Sequence, residues 1–467
     1  MQNKKPGYQI DMLNGPLAGK ILLFSLPLML SGLLQLLFNA ADVVVVGQFA
    51  GKEALAAVGS NGSLINLFIN LFIGLSVGTN VVIARDLGAG KAEHVHRSVH
   101  TSITVAFFSG IFLAVAGFFL SRGMLELMSS PEDVIDLAVL YLRIYFMGMP
   151  ANLLYNFGAA ILRAQGDTRR PLYYLTAAGV VNVVLNLIFV VPLQMSVAGV
   201  ALATIISQYI SAVLVLIALI REDGVLHLDL KALSVDWYTV KRILRVGLPA
   251  GLQSTLFSIS NVVIQSSINS FGSAVVAGSS AAGNIEGFIY VCTNAFHQAA
   301  LTFVSQNHGA KQHKRVDRIA VLCLAYGTVI SVIMGNLIYH FGAPLTELYA
   351  PGETEVVEQA VIRLGYVAAF HFLCAFMDIM VGILRGLGQS VVPMIVSLAG
   401  SCALRLVWIA TVFQIYPTPS CLYISYPISW AVTALAHVTF FILVRKFVVD
   451  GTWRRKRKNA GGTAGAT

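Results

Sequence analysis

The sequence predicts an all-α polytopic membrane protein, with twelve transmembrane helices in two parallel, pseudo-twofold-related six-helix bundles. Three observations carry this. The chain of 467 residues is 57% hydrophobic and only 11% charged, against about 25% charged in a soluble domain. Twelve segments reach the roughly 20 apolar residues that a spanning helix needs. The second half of the chain repeats the first in one register.

In chain order the spans are 17–48, 53–84, 98–120, 134–162, 171–192, 196–220, 238–270, 274–306, 318–342, 356–384, 391–414 and 422–447. Residues 1–16 are polar and contain no short apolar core ending at a small-residue cleavage site, so no signal peptide is expected. Of 31 Lys and Arg, twenty-six fall in loops on one side. Basic loops stay in the cytoplasm, which places both termini there, as the even helix count requires. The net charge of +9 therefore reports a membrane surface rather than nucleic acid.

The repeat is direct. Leu26-Pro27 recurs as Leu248-Pro249, Asn39 as Asn261, Phe49 as Phe271, Ile161-Leu162-Arg163 as Ile383-Leu384-Arg385, Gly166 as Gly388 and Pro171 as Pro393, all 222 positions apart. An even number of spans returns the chain to its starting side, so the copies are parallel repeats about an axis along the membrane normal. The expected organisation is a cytoplasmic segment 1–16, an amino-terminal lobe 17–220, a linker 221–237, a carboxyl-terminal lobe 238–449 and a basic tail 450–467. Asp236-Trp237-Tyr238 reads as a cap opening a short amphipathic helix. The cluster Arg454 to Lys458 is expected to touch anionic lipid.

The first span carries a carboxylate, Asp42, which costs about 3 kcal/mol at a helix centre. Ser31, Gln35, Asn39 and Asp42 are spaced by four, four and three, which puts them on one helical face. That face is either a hydrogen-bonding stripe between helices or a cavity wall with a titratable group. Gln35 and Asn39, with Asn261 and Gln265 in the second copy, are the expected walls of a substrate cavity. Asn182 and Asn186 stand one turn apart on the fifth span, and Thr204 lies on the sixth. Amide and hydroxyl oxygens beside a carboxylate suit a proton or a sodium ion, while the same groups also serve as interhelical glue. Pro27 precedes Asp42 by 15 residues, about 22 Å of helix, and is a candidate hinge because proline frees a carbonyl of the preceding turn.

The second copy carries Glu286, Asp378 and Arg405 within spans. The simplest arrangement pairs Asp378 with Arg405 and leaves Glu286 as a structural acceptor near the outer rim. Nothing in the chain points to an enzyme. It has no G-x-x-x-x-G-K-[ST] phosphate loop and no H-E-x-x-H zinc motif. Its five cysteines form no C-x-x-C pair. No cofactor or metal is expected, and the expected assembly is a monomer.

The sequence resembles the multidrug and toxic compound extrusion (MATE) family across about 14–447. The residues that carry the resemblance are Gly15-Pro16 to Pro27, Asn39-Ala40-Ala41-Asp42 through Gly47, and Ala84-Arg85-Asp86-Leu87-Gly88-Ala89-Gly90 with its copy Val304-Ser305-Gln306-Asn307-His308-Gly309-Ala310. The longest motif is Leu162-Arg163-Ala164-Gln165-Gly166-Asp167-Thr168 with Pro171, paired with Leu384-Arg385-Gly386-Leu387-Gly388-Gln389 and Pro393. The resemblance implies an inner-membrane antiporter that exports amphipathic, often cationic compounds in exchange for protons or sodium. Asp42, Asn182 and Thr204 match the family's amino-lobe site, and Asn186 stands where many relatives carry a second Asp. The seventh span lacks the acid found in other members, and Asp378 falls on the expected tenth helix but about one turn late. These departures favour proton coupling through Asp42. The alternative is a lipid-linked oligosaccharide flippase of the related superfamily, which would need a strongly basic cavity.

Overall fold

A computed structural model describes residues 8–128 and 132–446, and among these every regular element is helical. The basic tail therefore lies outside the described residues. The first repeat comprises α1 (Leu17–Phe49), α2 (Lys52–Gly88), α3 (Ala92–Leu127), α4 (Glu132–Met147), α5 (Met149–Ala164), α6 (Arg169–Val190) and α7 (Ser196–Ile220). The second comprises α8 (Trp237–Asn269), α9 (Ser273–Gly309), α10 (His313–His340), the short α11 (Gly342–Glu347), α12 (Thr354–Val367), α13 (His371–Gly386), α14 (Val391–Ile415) and α15 (Pro419–Val444). Each expected span falls on a helix or a bent pair. Among the described residues eight helices are long and apolar enough to cross a membrane, and counting each bent pair as one span brings the number to ten. The two more polar helices are α8 and α9.

The fourth and tenth spans are broken rather than straight. α4 and α5 meet at 46°, and α12 and α13 at 48°. Helices α5 and α13 begin at Met149 and His371 and end at Ala164 and Gly386, so both breaks keep the offset of 222. At the first break Pro150 sits in the opening turn of α5, a position where the missing N–H is tolerated.

The chain forms two compact units, one running to Ser258 and including Ser305–Ala310, the other comprising Ile259–Val304 and the chain from Lys311 onward. Glycines set the helix spacing in the first unit. A Cβ on Gly117 would enter the Phe146 ring, and one on Gly110 would strike the Pro150 backbone. Gly74 and Gly78 of α2 face Gly247 and Gly251 of α8 so closely that no side chain fits between the backbones. Small residues allow such approach within a bilayer, where apolar burial alone does not hold helices together. Buried Leu142, Phe146, Leu153 and Phe157 fill the space between α3, α4 and α5.

The start of α8 shows one departure from the sequence reading. Asp236 is a cap, with Oδ2 accepting from Thr239 N at 3.1 Å and from Thr239 Oγ1 at 2.6 Å. It opens α8 itself rather than a separate short helix, because nothing interrupts the helical run from Trp237. At the same end of the unit Asp86 receives both Arg242 Nη atoms at 2.7 and 2.8 Å.

In the second unit Gly382 of α13 lies on the His297 carbonyl of α9, with room for no Cβ, and Gly400 of α14 lies against Thr433 of α15. The distinctive element is α14. Its residues Leu398–Ala403 wind as a π-helical turn, while α6 in the first repeat is α-helical throughout. A π turn accommodates one extra residue and rotates everything after it.

Candidate functional site

The contact between α1 and α6 fixes the first polar cluster. Gly179 leaves the space that the Phe38 ring occupies. One turn after Phe38 stands Asp42, and one and two turns after Gly179 stand Asn182 and Asn186. The register therefore brings the carboxylate to the amides. Asn186 Nδ2 donates to Asp42 Oδ1 and lies 3.5 Å from Asn182 Oδ1. Asn186 is fully buried and Asn182 nearly so, while Asp42 is half-buried. Asn186 Oδ1 is buried with no hydrogen-bond partner among the described residues. A protonated carboxyl group would supply the donor that this oxygen lacks.

Two tyrosines complete the surroundings. Tyr141 and Tyr145 of α4 stack with ring centroids 6.1 Å apart, and both phenols lie within electrostatic reach of Asp42. Gln208 of α7 packs against Gly148 at the break in the fourth span. Sequence reasoning missed these three, although Tyr141 and Tyr145 share the four-residue spacing that singled out the asparagines. Thr204 is half-buried, and its Oγ1 donates to Val200 O at 2.9 Å within its own helix.

The other expected residues are placed as follows. Gln35, Asn39 and Asn261 have exposed side chains. Gln265 is half-buried, and its Nε2 donates to Asn269 Oδ1 at 3.0 Å. Pro27 is buried inside a continuous α1, and Ser31 Oγ donates to its carbonyl at 2.8 Å.

The second unit corrects the expected pairing of Asp378 with Arg405. Glu286 is instead the partner of Arg363, whose Nε and Nη2 reach Oε1 and Oε2 at 3.0 and 2.8 Å. Arg363 Nη1 also donates to Ser279 Oγ at 2.6 Å. Arg405 lies with its guanidinium 4.1 Å from the Tyr426 ring centre and 5.5 Å from that of Trp430, and its Nε donates to Ser429 Oγ at 2.7 Å. Asp378 meets α9, with its carbonyl 2.7 Å and its carboxylate 3.5 Å from His297 Nδ1. The reason is the π turn, which precedes Arg405 by two residues and turns it toward α15. Among the described residues no three His, Cys, Asp or Glu side chains converge as a metal site.

Comparison with known proteins follows this geometry. The family model MatE matches residues 27–188 and 249–410, two stretches whose starts and ends are each 222 positions apart. A Bacillus subtilis (strain 168) protein named "Probable multidrug resistance protein YpnP" is 29% identical over 85% of this chain and 88% of its own. A Thermotoga maritima protein named "Probable multidrug resistance protein NorM" is 26% identical over 83% of this chain and 84% of its own. The solved structure of a MOP superfamily transporter from Pyrococcus furiosus superposes with a TM-score of 0.89, covering 95% of this chain and 99% of that one at 23% identity. The last likeness is one of fold.

Proposed function

Since the chain belongs to the multidrug and toxic compound extrusion family, we propose that it is a cation-coupled antiporter that exports amphipathic, often cationic compounds across the cytoplasmic membrane. The supporting observation is Asp42, an intramembrane carboxylate whose hydrogen-bond donor is the neutral Asn186 amide and not a cation. A buried charge balanced by a salt bridge has a structural explanation, whereas this one does not, and such groups mark ion and substrate pathways.

Four steps follow. The ionised carboxylate holds a cationic cargo. A proton from outside then neutralises Asp42 and releases it. Asn186 turns its unpartnered Oδ1 to the new O–H, so the loaded state keeps its hydrogen bond. The amino-terminal lobe in this state permits the inward-open arrangement, where the proton leaves and fresh cargo enters. Proton coupling is favoured over sodium because Asn186 supplies no second carboxylate for a metal cation. Pro27 is the proposed bending point of α1. The protein acts as a monomer in contact with membrane lipids, uses no cofactor, and has both termini in the cytoplasm.

The test is dye efflux from vesicles with imposed proton or sodium gradients. Wild type is expected to respond to the proton gradient, and Asp42→Asn to reach normal abundance but lose gradient-driven export. Wild-type export by Asp42→Asn would overturn the mechanism.

A further inference from the structure

Applying the repeat offset of 222 to the Asp42 cluster lands on a second cluster of opposite charge. Tyr141 maps to Arg363, Thr204 to Tyr426 and Gln208 to Trp430, while Asp42 maps to the apolar Ile264. Asn182 maps to Leu404, one position before Arg405. The extra residue in the π turn at Leu398–Ala403 makes up that one position, so Arg405 takes the facing that Asn182 has in the first copy.

The mapped residues touch one another. Tyr426 lies under Arg405 at 4.1 Å and beside Arg363 at 6.0 Å, so two guanidiniums share one ring. A single carboxylate, Glu286, is paired here, and Arg363 takes both of its oxygens. Arg405 is left with one neutral hydroxyl acceptor at Nε. Its side chain is 5% exposed, and its Nη2 is buried without a hydrogen-bond partner among the described residues. Aromatic faces attract such a cation, but they leave its N–H donors unsatisfied, and burying unsatisfied donors is unfavourable. An oxyanion satisfies both the charge and the donors, because a guanidinium edge presents paired N–H groups in the geometry of a carboxylate or phosphate.

We propose that the second unit holds an anion-binding site, built on Arg405 with Arg363, Tyr426 and Trp430, that takes the carboxylate or phosphate group of its ligand. The flanking rings add a flat apolar wall, so the ligand class is an aromatic or amphipathic anion. Occupancy of this site depends neither on Asp42 nor on transport.

The experiment is equilibrium binding of fluorescein, an aromatic dianion, to the purified full chain in a neutral maltoside, read by fluorescence anisotropy. Wild type is expected to bind it saturably, with displacement by benzoate or inorganic phosphate and none by the cation rhodamine 6G. Arg405→Gln is expected to bind about tenfold more weakly or worse, as loss of a charge-assisted bond implies, and Arg405→Lys to recover part of the affinity. Displacement by added phosphatidylglycerol assigns the site to a lipid phosphate, and persistence in its presence assigns it to soluble anions. Unchanged affinity in a folded Arg405→Gln protein overturns the site. If that variant does not fold, failure of both benzoate and phosphate to displace fluorescein from wild type overturns it as well.

Discussion

The two repeats share their span breaks and their offset, yet equivalent polar clusters in them carry opposite charge. In the first, a carboxylate on α1 is held by a neutral amide on α6. In the second, the α1 counterpart is Ile264, and the charge has moved to Arg405 on α14, turned into place by a π turn that α6 lacks. Duplication preserved the frame and left the polar cluster of each copy free to change sign. The comparison also separates two kinds of buried acid. Glu286 is locked by a bidentate arginine, whereas Asp42 is held by a neutral amide.

That distinction sets the largest expected effect. Glu286→Gln leaves Arg363 uncompensated beside Arg405 and is expected to destabilise the protein by about 3–5 kcal/mol, seen as a large drop in the thermal unfolding midpoint in detergent. Asp42→Asn removes an unpaired charge and should leave that midpoint nearly unchanged; equal drops would erase the contrast. Next in size is Asn186→Leu. Losing a hydrogen bond to a charged group is expected to cost about 1.5–3 kcal/mol, and gradient-driven efflux should fall with it, whereas Ile409→Ala, at the α14 position that matches once the extra π-turn residue is counted, should spare efflux. Deleting Ala399 restores an α-helical register to α14 and turns Arg405 by about 100°. Its expected readout is loss of fluorescein binding with dye efflux retained, and retained anion binding would show that the π turn does not aim Arg405.

The smallest effect lies at the start of α8. Asp236→Ala removes a helix cap and is expected to cost about 1 kcal/mol near neutral pH. Its hydrogen bonds from Thr239 hold the Asp236 carboxyl below the usual carboxylate range. A lowered folded value means that the contribution is present above the unfolded pKa and is lost as pH falls through the folded one. The stability gap between wild type and Asp236→Ala should therefore close on acidification.

Much of this was legible in the residues. The offset of 222 predicted the duplicated frame, and the four-residue spacing of Asn182 and Asn186 predicted one polar face, which the structure sets against Asp42. The pairing of Asp378 with Arg405 failed because a π turn, which leaves no mark in composition, shifts the facing of every residue after it. Arg363, which stands 222 positions after Tyr141, was not singled out because it lies early in a span. Tyr141 itself was passed over because tyrosine inside a membrane span reads as core. A repeat thus locates sites more surely than charge does, but only when carried residue by residue through both copies.

The seam between α2 and α8 carries a consequence of its own. Where Gly74 and Gly78 meet Gly247 and Gly251, main chain lies on main chain, with no interlocked rotamers to undo. Along this stretch the two helices touch like two smooth rails, while the Asp86–Arg242 ion pair and the Asn70–Ser258 hydrogen bond tie α2 to α8 at either end. A lone methyl at Gly247 would act as a wedge, because its Cβ would strike the main chain of Gly74 and Leu75 and hold the rails apart.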